Sequence, residues 1–172
     1  MKIKSILIIM LFCISVITCK LLVTNNNTTE NKKIERHGTI CTNPYYPNGE
    51  IISHSFYNLQ YSEQHEQPYW VSYKLSPSFL IKNATRKNRF KEDKKIATGS
   101  ATLQDYKGSG FDRGHLAPAG SMVFNQTAMN ESFYMSNMSP QQPRFNRGIW
   151  KRLESKVRFW ATSSDSLFVV TG

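Results

Sequence analysis

Cysteine is scarce in this chain, acids are few, and no hydrophobic run is long enough to cross a bilayer. The three cysteines are Cys13, Cys19 and Cys41. The first two fall in or beside an apolar leading run, so Cys41 alone is expected in the mature domain. A disulfide-stapled fold is thereby excluded, and the domain must rest on its core. No Cys/His spacing marks a zinc site. With 12 Asp and Glu against 22 Lys and Arg, the formal charge is +10, which suits a polyanionic partner, although an ordinary basic secreted protein would have the same balance. The longest apolar stretch, Ser5 to Cys19, comes after Met1-Lys2-Ile3-Lys4 and is too short for a comfortable membrane span. It reads as an export signal over residues 1–20, with Cys19 as a conceivable lipid-bearing residue of a lipoprotein. The expected location is therefore outside the cytoplasm, secreted or periplasmic, with a lipid anchor at Cys19 as a variant. Removing that segment takes away Lys2, Lys4 and Lys20 and leaves the mature charge at +7.

The rest of the chain is enough for one domain of 39–172, after a polar, Asn-rich linker over 21–38 that has no apolar period to bury. Cys41 to Gly49 carries turn residues. Ile51 to Tyr61 reads as a strand, and Trp70 to Leu75 as a second, half-buried one with Val71, Tyr73 and Leu75 on its inner face. The two are expected to pair as a hairpin. Arg86 to Lys95 is a basic loop with Phe90 embedded, and Leu103 to Gly110 a turn-rich approach to Asp112-Arg113-Gly114-His115. Phe133-Tyr134-Met135 is a short strand candidate, and Pro140 with Pro143 argues against regular structure beyond it. Ile149, Trp150, Leu153, Val157 and Trp160 recur at helical spacing and define one apolar stripe, and Leu167 to Val170 reads as a buried strand. The three tryptophans are assigned to the core. His37, His54 and His65 lack companion ligands and are set aside.

Phosphodiester hydrolysis needs a base for water, positive charge for the phosphorane and a Lewis acid near the leaving oxygen. His115 can be the base, Arg113 a fork-shaped phosphate ligand, and Gly114 a place where the backbone approaches substrate. On their own, these four residues suit a turn with a satisfied histidine better than a catalytic site. Their company is more specific: Gly108-Ser109-Gly110-Phe111 before, Leu116-Ala117-Pro118-Ala119 after, then Ser136-Asn137-Met138-Ser139-Pro140-Gln141, Asn146-Arg147-Gly148-Ile149-Trp150 and Leu153-Glu154.

In this ordered set the chain closely resembles the DNA/RNA non-specific endonucleases, the ββα-metal or His-Me finger nucleases, from about Ile51 to Gly172. The resemblance implies an α+β fold with a mostly antiparallel sheet and a ββα-metal catalytic core. It implies His115 as general base, Arg113 on phosphate, Asn137 as a residue shaping the catalytic site, Asn146 as direct ligand of a hydrated magnesium ion, and Glu154 beyond the first ring of ligands. Residues eight apart on a helix are separated by roughly 12 Å of rise, which fits that division. Manganese should substitute. Asn137 also heads a glycosylation triplet, and a glycan there would block such a site. A further family arginine falls in Arg86-Lys87-Asn88-Arg89-Phe90. Arg86 fits the spacing of the endonuclease G branch to Phe90, Arg89 lies nearer the aromatic, and the choice stays open. Arg89 and Lys91 are expected to contact substrate. The implied activity is metal-dependent cleavage of DNA and RNA, without sequence preference, to 5′-phosphate ends. The alternative is an exported nucleic-acid-binding protein, or a C-terminally truncated fragment, that lacks catalysis.

Overall fold

A computed structural model describes residues 43–47 and 49–172. The expectations for the leading apolar run, the Asn-rich segment, His37 and the three cysteines lie outside the described residues.

Four antiparallel strands form the main sheet: β1 (Glu50–Ser53), β2 (Tyr57–Ser62), β3 (Gln67–Leu75) and β6 (Leu167–Thr171), in the order β1-β2-β3-β6. The expected hairpin between the two apolar runs is β2–β3. The single strand expected over Ile51 to Tyr61 is in fact another hairpin, because the His54 N–H closes a tight turn onto the Tyr57 carbonyl at 2.9 Å. Strand period places Tyr57, Leu59 and Tyr61 beside Val71, Tyr73 and Leu75, all buried on one face. Leu167 and Val169 of β6 extend the same face, whereas Phe168 is about half exposed, so β6 is a half-buried strand and not a fully buried one. At the start of the sheet the buried Gln60 side chain clasps the 46–49 turn, accepting from Tyr46 N at 2.9 Å and donating to the Gly49 carbonyl at 2.9 Å. Trp70 completes that clasp through its indole N–H, 3.1 Å from Gln60 Oε1.

Between these strands run two short helices, α1 (Leu103–Tyr106) and α2 (Gln126–Glu131), and after them the longer α3 (Lys151–Ala161). Helix α1 lies where only turns were expected. Thr102 and Asp105 form a reciprocal capping box that satisfies its first amides. Helix α3 packs Val157 and Ala161, with Trp150 just before it, against the inner face of the sheet together with Leu116, Ala117 and Met122. Each large apolar side chain so buried contributes about 1.5–3 kcal/mol.

A second, two-stranded sheet pairs β4 (Asp112–His115) with β5 (Met138–Gln141). Here two expectations fail. Phe133–Met135 contributes one isolated bridge, Tyr134 to Lys91, and the strand itself starts at Met138. Pro140 sits inside that strand, opposite Arg113. In a two-stranded sheet each strand is an edge, so a proline whose missing N–H would face outward costs no ladder bond. Thr171 Oγ1 donates to the Leu116 carbonyl at 2.9 Å and fastens the large sheet to the chain leaving β4.

Candidate active site

Arg113 and His115 stand two residues apart on β4 and so share a face. Both meet Phe90. The Arg113 guanidinium lies 4.4 Å from the Phe90 ring centroid, and the His115 ring is 5.7 Å away. Phe133 closes the other side of His115 edge-on at 5.0 Å, and the Trp150 indole N–H donates to the His115 carbonyl at 3.1 Å. His115 Nε2 is enclosed and has no hydrogen-bond partner among the described residues. Burial, reinforced by the charges of Arg86 and Arg113, pushes the imidazole down to about 3. The ring is therefore neutral and retains a lone pair over the physiological range.

Gly114 is required for a different reason from the one expected. A Cβ there would lie 2.1 Å from Cδ of Gln141, so the space is filled by the protein's own side chain and not by substrate. The glycine lets β5 close over β4 and fixes the angle at which His115 is presented.

His115 opens on a polar cleft of about 740 Å³ that also contains Arg86, Arg113, Asn146 and Glu154. The structure thus places five of the expected site residues in one cavity. Arg86 reaches it with its Nε donating to Asn88 Oδ1 at 2.6 Å and its guanidinium 5.3 Å from the Phe133 ring. Arg89 and Lys91 do not line this cleft; they face a separate hollow. Asn137 does not reach it either, being fully buried. It accepts from Ala117 N at 2.8 Å and donates to the carbonyls of Ala117 and Ser132 at 3.0 and 2.8 Å. With its amide spent in this way, it holds the turn after His115 from beneath and has no group left for substrate. The same burial excludes a glycan from that position.

Asn146 lies in a six-residue π-helical stretch, Phe145–Trp150, that runs straight into α3. Such wide turns insert a residue into the helical count and recur at functional sites. Here the inserted residue shifts the phase of the apolar stripe. Trp150 and Val157 remain buried, but Ile149, expected on the stripe, is about half exposed. Asn146 Nδ2 donates to Asp112 Oδ2 at 3.0 Å, which leaves its Oδ1 free to act as a donor to a cation.

Asp112 is the residue whose importance the sequence did not reveal. Its carboxylate takes both the Asn146 amide and a two-pronged contact from Arg147, at 2.8 Å from Nε and 2.6 Å from Nη2. The Arg147 hydrogen bonds hold the carboxyl below the usual range, against a smaller opposing effect of burial. Nothing in the sequence links residues 35 positions apart. Lys151 and Arg158 were missed as well, although both line the cleft. Burial pushes the Glu154 carboxyl upward, opposed by Arg158 at 3.9 Å and then by Arg86 and Lys151.

Five cations and two acids therefore surround the cavity, a charge balance that attracts a polyanion. Among the described residues no group of three or more His, Cys, Asp or Glu could hold a metal ion. The oxygens on offer are the Asn146 amide and the Glu154 carboxylate. So sparse a protein donor set suits a hard ion that keeps most of its water, as magnesium does, and does not suit zinc.

Residues 36–172 match the DNA/RNA non-specific endonuclease family. The mitochondrial nuclease of Saccharomyces cerevisiae is 40% identical over 154 residues, 73% of this chain and 47% of that protein. Human mitochondrial endonuclease G is 38% identical over 125 residues, 72% of this chain and 42% of its own length. A solved structure described as the EndoG/EndoGI complex, relating to the mechanism of EndoG inhibition, superposes with a TM-score of 0.65 at 36% identity. It covers 70% of this chain and 51% of that one. The chain thus spans about half the length of the relatives it matches. Their names also correct the expectation of export: both the yeast and the human nuclease are mitochondrial by name, and the secreted, periplasmic or lipid-anchored reading built on residues 1–20 is withdrawn. Antiparallel sheets, with β4, β5 and α3 as the ββα core, bear out the expected fold class. Its ordered motifs, its fold and its relatives agree: the chain belongs to the DNA/RNA non-specific endonuclease family.

Proposed function

We propose that the chain, through a domain over 39–172, is a metal-dependent endonuclease. It hydrolyses phosphodiester bonds of DNA and RNA with little sequence preference and leaves 5′-phosphate ends. The observation that carries this reading is a neutral His115 flanked by Arg86 and Arg113 in the same cleft as Asn146 and Glu154. In this reading His115 takes a proton from water as the water oxygen bonds to phosphorus, and the bond from phosphorus to the 3′ oxygen breaks. Arg113 and Arg86 hold the non-bridging oxygens and carry their growing charge. A phosphate between these arginines also screens their charge from His115 and makes the imidazole a better base at the moment it is needed. Asn146, oriented by Asp112, and Glu154, through water, would hold a magnesium ion, for which manganese can stand in. When bound, that ion supplies positive charge near the departing oxygen. Asn137 acts at one remove, by fixing the backbone that carries His115.

None of these side chains offers a pattern that would distinguish one base from another, because phosphate contacts position a nucleic acid without reading it. Supercoiled plasmid and single-stranded RNA, each incubated with the purified chain, provide the test. Cleavage of both with magnesium or manganese and its loss with chelator are expected. Binding without cleavage, by folded protein in magnesium, would overturn the enzyme reading.

A further inference from the structure

The stretch from Asn83 to Lys91 is held firmly at both ends. Asn83 and Ala84 donate to the Val123 carbonyl at 2.8 and 2.9 Å, and Thr85 exchanges hydrogen bonds with the Gln126 side chain at 2.9 and 3.1 Å. At the far end Lys91 N donates to the Phe133 carbonyl at 3.2 Å, and its carbonyl accepts from Met135 N at 2.9 Å. Between these anchors the side chains divide. Arg86 and Phe90 line the cleft that contains His115, and Asn88 braces Arg86. Lys87, Arg89 and Lys91 line a second hollow of about 350 Å³, completed by Gln126, Asn130 and Phe133.

Three cations and two side-chain amides converge there, and none of the six lining residues is acidic. Glu131, next in sequence to Asn130, is directed elsewhere, with its carboxylate taken by Ser55 N and Oγ at 2.9 Å each. Lys91 is steadied over the Tyr134 ring, 4.5 Å from its centroid. Phe133 is the partition. It is almost completely buried, touches His115 and Arg86, and borders the second hollow.

We propose that this hollow is a second phosphate subsite that holds a non-scissile phosphate of the same nucleic acid whose scissile phosphate lies at His115. One strip of backbone thus serves two phosphates, through Arg86 on one side and through Lys87, Arg89 and Lys91 on the other. The proposal rests on the nuclease reading, and it adds that affinity for a long strand is set largely away from the reacting bond. Charge-assisted contacts from flexible lysines and an arginine suit a backbone that must slide; the Gln126 amide is spent on the Thr85 carbonyl and on Asn130 Oδ1, and the Asn130 amide so oriented can donate to a phosphate oxygen without reading bases.

The test compares wild type with Lys87→Ala/Arg89→Ala, both exposed positions, on a long single-stranded DNA over a range of salt concentrations. KM should rise about tenfold, and the slope of log affinity against log salt should flatten by about 0.7, since a phosphate that is no longer neutralised keeps its counterion. The effect should appear in KM and not in kcat. Lys94→Ala/Lys107→Ala, an equal charge change outside both cavities, should move KM less than twofold. An unchanged KM and salt slope would overturn the subsite. So would equal effects in the two double variants, which would reduce the change to net charge, or a defect confined to kcat, which would put these residues at the scissile bond. If wild type cleaves nothing, the nuclease reading fails separately. Fluorescence anisotropy with the same DNA then still decides the subsite, by whether the first variant weakens binding and the control does not.

Discussion

Among the described residues two histidines are enclosed by aromatic rings, and their surroundings are opposite in electrostatic character. His54 lies between Tyr57 and Tyr134, at ring-centroid distances of 4.6 and 5.0 Å, and its Nε2 meets Asp93 Oδ2 at 2.8 Å. The same carboxylate oxygen accepts from Ser136 Oγ at 2.6 Å, and Oδ1 accepts from Lys95 N at 3.0 Å. Burial alone would raise the Asp93 carboxyl, but the hydrogen bonds from His54, Ser136 and Lys95 together bring it below the usual range. Among the described residues no acid pairs with His115. It has two arginines and an unpartnered ring nitrogen. A histidine next to a carboxylate in the interior is fastened by it, whereas one enclosed beside cations is held in its neutral form. Neither role can be assigned from the residue type.

Exchanging each histidine for alanine breaks the comparison most sharply. His115→Ala should lower kcat on plasmid about a thousandfold, within the range for a lost general base, while changing stability by no more than about 1 kcal/mol. His54→Ala should do the reverse. It removes one of the three hydrogen bonds that the buried Asp93 carboxylate accepts from His54, Ser136 and Lys95, and should cost about 1–3 kcal/mol in urea unfolding, with the activity of the folded fraction retained. If His54→Ala were as stable as wild type but inactive, the two roles would have to be exchanged.

The parts that were legible from sequence explain why the two histidines were set apart and why their surroundings were not foreseen. Val71, Tyr73 and Leu75 gave away β3 through strict alternation, and Trp150, Val157 and Trp160 gave away the helix through helical spacing, because both signals are local. Ile149 broke the stripe because a π-helical turn leaves no mark in an apolar pattern. Pro140 misled because a proline reads as a breaker until the strand is known to be an edge. At the site, His115, Asn146 and Glu154 share a cleft as the motif order implied, and Arg86 lies there while Arg89 does not. Asp112 with Arg147, and His54 with Asp93, are contacts between distant segments, set only when the chain has folded.

A smaller effect sharpens the contrast between a histidine held by an acid and an asparagine, the proposed metal donor, held by one. Asp112→Ala removes the acceptor that orients Asn146 and Arg147, and it should raise the magnesium concentration for half-maximal cleavage about tenfold, in line with the loss of a group that orients a ligand. Activity should return as magnesium is raised. A variant that is inactive at every magnesium concentration would mean that Asp112 acts in some way other than by orienting the donor.

The gentlest test leaves both histidines in place and varies pH. An exposed imidazole titrates near 6.5, and a nuclease that relied on one would lose kcat/KM as pH fell through that value. In the folded protein His115 is instead held down to about 3, so kcat/KM should stay flat from pH 8 to below 6 at constant magnesium. Stability should respond with a definite sign. Between about 6.5 and about 3 the unfolded chain binds a proton at this residue that the folded chain refuses, so the fold should weaken as pH falls across that window. Burial is the larger cause and the arginines the smaller. Arg86→Ala should therefore move the His115 titration, followed by NMR of the ring protons, upward by only part of the distance to 6.5. A titration near 6.5 in wild type would show that the ring is not held in its neutral form by its surroundings, and the distinction between the two histidines would then have to rest on hydrogen-bond partners alone.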